Sequence, residues 1–229
     1  MINIRGIGGH MRLVAENLSG ERGDNLLFNS LCASLSDGQA LIITGPNGAG
    51  KSTLLRIIAG LLPASDGTVW LEIDGAQEPV MAHSHYLSTL NAMKPALSVY
   101  ENLKFWQDFH GSPLHDIDEA LEIVGLYNID HLPYGYLSTG QKRRVTIATL
   151  LCSHRPLWLL DEPTSGLDTH AQAMFAGVMR EHLKKGGMIV AVTHIALGLE
   201  QAGSDAVQHL RLEDYQLGDH GAEAQGWLS

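Results

Sequence analysis

Cysteine is nearly absent: the 229 residues contain two, Cys32 and Cys152. With no CxxC pair and no Cys/His zinc spacing, a disulfide scaffold and a structural zinc site are excluded. Both thiols lie in apolar stretches, where burial in a reducing compartment is expected. Basic residues are also few. Fifteen Lys and Arg against 25 Asp and Glu leave a net charge of −10 with histidine neutral. That balance excludes a general nucleic-acid coat and charge-driven docking on anionic lipid, and leaves a local anion site open. Long apolar runs are missing too. The longest, 188–199, contains Thr193 and His194 and falls short of the roughly 20 residues needed to span a bilayer. The opening MINIRGIGGH has one basic residue and no apolar h-region, so it is not a secretory signal. Residues 1–10 read as a flexible leader and 11–229 as one domain. A soluble chain is expected, and any membrane role needs a partner.

What is present is an ordinary globular balance of 45% apolar and 17% charged residues. MRLVAENL and LLFNSLCASLS read as strands around a polar, glycine-containing turn. ALIIT (40–44) is a short buried strand. LLRIIAGLL (54–62) has helix composition and is expected to end at Pro63. TVWLEID and PVMAHSHYL read as further strands. From about 92 to 154 the pattern turns helical: VYENLKFWQDFH, DIDEALEIVGL and the run from Gly140 to Ser153 carry helical periodicity. Strands return at PLWLLD (156–161) and MIVAVTH (188–194). This alternation predicts an α/β fold with a mainly parallel sheet, interrupted by a helical insertion.

The most informative stretch is Gly45-Pro46-Asn47-Gly48-Ala49-Gly50-Lys51-Ser52, followed by Thr53. It matches G-x-x-x-x-G-K-[ST] without exception, between a buried strand and a helix. Glycines let backbone N–H groups turn inward around phosphate oxygens, and the helix N-terminus adds partial positive charge. Lys51 is placed for the β- and γ-phosphates, and the Ser52 hydroxyl for Mg²⁺. The motif predicts nucleotide binding but not what the energy does.

LWLLDEP ends an apolar strand in two carboxylates. Asp161 is placed to ligate Mg²⁺, and Glu162 to accept a hydrogen bond from an attacking water. His194 ends the next strand, where it is placed to reach the γ-phosphate or to orient Glu162. Leu137-Ser138-Thr139-Gly140-Gln141 opens a helix with a hydroxyl, a glycine and free N–H groups. It is a second phosphate-binding helix start, and the phosphate loop already surrounds the nucleotide from one side. It therefore suits a nucleotide held by another copy of the chain.

In this order GPNGAGKST, LSTGQ, LLDEP, SGLD (165–168) and His194 resemble an ATP-binding-cassette ATPase, over nearly the whole chain from Met11. The resemblance implies a P-loop NTPase core of RecA-like type with an antiparallel β subdomain and an inserted α-helical subdomain. It also implies a head-to-tail homodimer that sandwiches two ATP molecules. Ser138 and Gly140 would then touch the partner's γ-phosphate, and Asp168 would lie at the seam. Two positions depart from the family. Where an aromatic residue usually stacks on adenine, this chain has Arg22, whose planar guanidinium can stack, with Phe28 as the other candidate. Where a glutamine usually links the core to the helical block, YLSTLNAMKPALSVYENL has none, and Asn91 is the nearest amide.

More narrowly, NAMKPALSVYENLKFW, LSTGQKRRVTIATLL and PLWLLDEPTSGLD resemble the haem-exporter ATP-binding subunits of bacterial cytochrome c maturation. This implies a peripheral ATPase at the cytoplasmic face of the inner membrane, docked on integral membrane subunits through residues 91–104 and Tyr134 to Leu137. A soluble cassette acting on ribosomes or nucleic acid, disfavoured by the acidic balance, and a nucleotide-gated interaction module with little turnover are the other readings. His83 and His85 read as two imidazoles on a solvent-facing strand rather than as haem ligands. Lys142, Arg143 and Arg144 read as the solvated face of their helix.

Overall fold

The computed structural model describes residues 10–90, 92–199 and 206–216. Strands β1 (Met11–Arg22) and β2 (Asn25–Ser36) form an antiparallel hairpin. β3 (Ala40–Thr44) leads through the phosphate loop into α1 (Lys51–Ile58). β4 (Asp66–Ile73), β5 (Ala76–Glu78), the single-turn α2 (Val80–His83) and β6 (Ser84–Leu87) follow. Three helices come next, α3 (Val99–His110), α4 (Ile117–Ile123) and α5 (Thr139–Cys152). β7 (Leu157–Asp161), α6 (Thr169–Lys184), β8 (Met188–Val192) and β9 (Val207–Arg211) complete the described strands and α-helices.

Two sheets result. One is antiparallel in the order β2-β1-β4-β5; the other is parallel in the order β6-β7-β8-β3-β9. The three inner parallel strands, β7, β8 and β3, are buried along nearly their whole length, which explains their near-continuous apolar sequences. Alternate residues serve different cores. Leu41, Ile43, Leu157, Leu159, Met188, Val190 and Val192 face α1 and the antiparallel sheet. Ala40, Ile42, Trp158, Leu160, Ile189 and Ala191 face the helical side, with Val99, Leu121, Ile147 and Phe175. This is the α/β architecture that the motifs implied, with an antiparallel sheet and a helical block set between β6 and β7.

Several local expectations are corrected. The helix predicted at 54–62 starts at Lys51, because the end of the phosphate loop forms its first turn. It stops before Gly60, whose φ of 72° ends the helix ahead of Pro63. PVMAHSHYL is not one strand. Pro79 caps the α2 turn and only Ser84–Leu87 pairs with β7. His83 and His85 therefore do not share an exposed face. His83 lies on α2 beside Glu78, at 3.8 Å. His85 is buried, with Nε2 2.9 Å from the Ser153 carbonyl, and burial pulls its pKa to about 3. Of the two cysteines only Cys152 is buried; Cys32 is exposed on β2. Residues 1–9 of the expected leader, and Asn91, lie outside the described residues. Among the described residues no helix is long and apolar enough to cross a membrane.

Candidate nucleotide site

The site is assembled at the C-terminal ends of three adjacent parallel strands, β3, β7 and β8. Such strand ends are where open α/β sheets bind ligands. The loop after β3 turns on Gly50, whose φ is 101°. A Cβ there would also stand 2.9 Å from the Leu27 Cβ, so the position demands glycine twice over. The chain then enters α1, whose first residues are Lys51, Ser52 and Thr53.

Lys51 is only 7% exposed. Its Nζ donates to the carbonyls of Gly45 (2.7 Å) and Pro46 (2.8 Å), closing the loop around its own ammonium. Burial lowers the Lys51 pKa, while Glu162, Asp161 and Glu213 oppose that shift with negative charge. The ammonium is thus desolvated and faces the cavity with carboxylates nearby. Ser52 Oγ donates to Asp161 Oδ1 at 3.0 Å, joining the start of α1 to the end of β7. Asp161 is 2% exposed.

Glu162 follows with a φ of 45°, a left-handed conformation unusual for a residue with a side chain. Its N–H donates to the Val192 carbonyl at 2.9 Å, so β8 fixes it from one side. Its Oε1 lies 3.4 Å from His194 Nε2. Together these residues line a cleft of about 270 Å³. Its lining comes from the phosphate loop and the start of α1 (Asn47, Gly48, Gly50, Lys51, Ser52 and Thr53), from Glu162, Val192 and His194 at the ends of β7 and β8, and from Arg22 and Leu27 of the β1–β2 hairpin.

Arg22 therefore stands at the cleft, while the alternative, Phe28, is 0% exposed inside the β core and cannot reach a ligand. The Ser138 and Asp168 side chains do not line the cleft. Ser138 caps α5, accepting from the Gln141 N–H, and Asp168 caps α6, accepting from the Ala171 N–H. Ser138 and Asp168 face solvent, and Gly140 lies against Gly166, whose carbonyl is 3.6 Å from where a Gly140 Cβ would sit.

One expectation about the surroundings fails. Arg143 is not on a solvated face: it is 4% exposed and donates to main-chain carbonyls around Asp161 and Glu162. Its neighbours Lys142 and Arg144 are half-exposed and donate to the Gly135 and Gly125 carbonyls. Within the expected docking span, Tyr134 and Leu137 are buried, while Tyr136 is 84% exposed. The burial of Arg143 left no trace in a run of three cations.

Comparison with known proteins decides the family. The family model described as ABC transporter matches residues 28–165. The chain belongs to the ABC transporter family. It is an ATP-binding, ATP-hydrolysing domain of that family. The ATP-binding export protein for cytochrome c biogenesis, CcmA, of Mesorhizobium japonicum is 60% identical over 193 residues, covering 84% of this chain and 96% of that protein. CcmA of Brucella melitensis is 56% identical over 213 residues, covering 91% of this chain and 99% of that protein. Among solved structures, an ATP-binding subunit of an ABC transporter superposes with a TM-score of 0.74 at 26% identity, covering 87% of this chain and 86% of that one. The cassette MJ0796, in a dimeric post-hydrolysis state with ADP and Pi, gives 0.73 at 21% identity, covering 94% of this chain and all of that one. That last likeness carries the fold of this ABC ATPase and nothing further.

Proposed function

We propose that the chain is the ATP-hydrolysing subunit of the exporter used in bacterial cytochrome c biogenesis, with haem handling as the work done. In this reading it sits on the cytoplasmic face of the inner membrane, bound to integral membrane subunits. It works as a homodimer, without nucleic acid. The names of its relatives, ATP-binding export proteins of cytochrome c biogenesis, support the export role, and their coverage of nearly the full cassette supports carrying that reading across.

The donors present suit magnesium nucleotide. Ser52 Oγ and Asp161 Oδ1, 3.0 Å apart, are the hard oxygen ligands that Mg²⁺ prefers. The glycine-rich loop and the Lys51 ammonium suit the β- and γ-phosphates. Bound Mg²⁺ neutralises charge that builds on the phosphate oxygens. Lys51 exchanges its loop carbonyls for phosphate oxygens. Arg22 offers a planar cation to stack on the adenine. Glu162 accepts the hydrogen bond of the water aimed at the γ-phosphorus, and His194 holds the carboxylate in position.

Ser138, Gly140 and Asp168 stay out of their own cleft, and the exposure of Ser138 and Asp168 suits contact with a second copy. There Ser138 and Gly140 would meet the partner's γ-phosphate, with Asp168 at the seam. ATP closes the dimer and hydrolysis reopens it, and the membrane subunits feel that cycle. The observation carrying this reading is the Glu162–His194 pair on the wall of the phosphate cleft. The test is deletion of the gene and a haem stain for c-type cytochromes. Loss of the stained bands, restored by the parent gene and not by Glu162→Gln, supports the proposal. Normal bands in the deletion strain contradict it.

A further inference from the structure

We propose that Arg143 is a positioning residue for hydrolysis, holding the backbone of Glu162 and linking it to the helix that carries the Ser138–Gly140 tip. The inference rests on Glu162 being the base.

Arg143 lies one turn into α5 and is 4% exposed. Its guanidinium spreads over carbonyls from two separate segments. Nε donates to Pro163 O at 3.1 Å, and Nη2 to Glu162 O at 2.9 Å and more weakly to Asp161 O at 3.5 Å. Nη1 donates to Ser88 O at 2.7 Å, just past the end of β6. Among the described residues it forms no ion pair. The nearby Asp161 carboxylate receives Ser52 instead. A cation kept only to neutralise Asp161 would approach its carboxylate; this one is spent on main-chain oxygens. Burial pulls its pKa to about 10, which leaves it charged and fully donating at neutral pH.

Glu162 is where that donation matters. Its left-handed backbone is strained for a residue with a Cβ, and such a conformation persists only when both sides are held. The Val192 carbonyl holds the N–H and Arg143 holds the C=O. Without Arg143 the turn can relax toward ordinary φ values and swing the carboxylate away from His194. Because Arg143 rides on α5, a shift of the Ser138–Gly140 tip is transmitted to the base. Its Ser88 contact ties the same junction to the segment leading to α3.

The full-length chain is compared with Arg143→Met, Arg143→Lys, Glu162→Gln and the Glu162→Gln/Arg143→Met double variant. ATP hydrolysis and binding of a fluorescent ATP analogue are measured separately. Arg143→Met is expected to lower kcat at least about tenfold while KM and nucleotide affinity stay within about threefold. Arg143→Lys recovers part of the rate, since it keeps the charge without the fork. The double variant is no slower than Glu162→Gln alone, because Arg143 acts through Glu162. A folded Arg143→Met with the parent kcat, or one that loses nucleotide binding together with rate, overturns the inference, as does an additive loss in the double variant. If Arg143→Met does not fold, Arg143→Lys decides: a reduced kcat at constant KM supports positioning, and an unchanged kcat overturns it. A Glu162→Gln chain that hydrolyses at the parent rate removes the base assignment itself, and this inference with it.

Discussion

His194 Nε2 stands 3.4 Å from Glu162 Oε1, bringing the ends of two neighbouring parallel strands together on the wall of the phosphate cleft. The imidazole can donate to the carboxylate and fix its rotamer, or turn toward phosphate. His194→Ala is expected to lower kcat by about a hundredfold while leaving KM for ATP nearly unchanged. Steady-state phosphate release checks this. A large rise in KM at constant kcat would instead make His194 a binding residue.

Lys51 spends its hydrogen bonds on Gly45 and Pro46 carbonyls inside a buried loop. Lys51→Ala is expected to weaken ATP binding by more than about tenfold, since both the charge and the closure of the loop are lost. Titration with a fluorescent ATP analogue measures it. Circular dichroism separates that loss from unfolding.

Arg22 lines the cleft and is proposed to stack on the base, Phe28 being sealed in the core. Arg22→Ala is expected to weaken ATP binding by about tenfold, and Arg22→Tyr to retain affinity, in line with the worth of one base–aromatic stack. Equal affinities for the parent and Arg22→Ala would rule out stacking at this position.

Acid should destabilise the fold through its buried imidazoles. Burial lowers the pKa from 6.5 to about 3 for His85 and to about 4 for His182. The unfolded chain therefore binds more protons below pH 6.5, and stability is full above that value and lost as pH falls toward the folded pKa values. Urea midpoints are expected to drop between about pH 7 and about pH 5. His85→Leu should be less stable at neutral pH, having lost its bond to the Ser153 carbonyl, but should show a shallower pH slope.

Gly67 on β4 has a φ of 79°, and a Cβ there would sit 2.3 Å from the Asn17 carbonyl oxygen. Because the obstacle is backbone in the neighbouring strand, it cannot swing aside. Gly67→Ala is expected to cost about 3 kcal/mol or more in a urea titration.

The residues proposed to carry phosphate chemistry were legible because that chemistry demands fixed spacing on one strand–loop–helix unit. Glycines, Lys51 and Ser52 cannot be moved without losing the cradle. The parallel sheet was legible in ALIIT, PLWLLD and MIVAVTH, since burial on both faces leaves few polar positions. Arg143 was not legible, because a cation among cations gives no sign of which one turns inward. That choice depends on the 161–163 turn, brought against α5 only by tertiary packing. His85 misled for a related reason: its strand is short, and the Ser153 carbonyl that receives it arrives from the end of α5.

The central claim is that Ser138 and Gly140 complete a pocket on a second copy. The Glu162→Gln chain, bound to saturating magnesium ATP, is measured by light scattering behind gel filtration. The account predicts twice the 24.8 kDa chain mass, reverting to one chain on adding Gly140→Asp while each chain still binds nucleotide. A Glu162→Gln chain that binds ATP and remains at 24.8 kDa would contradict it.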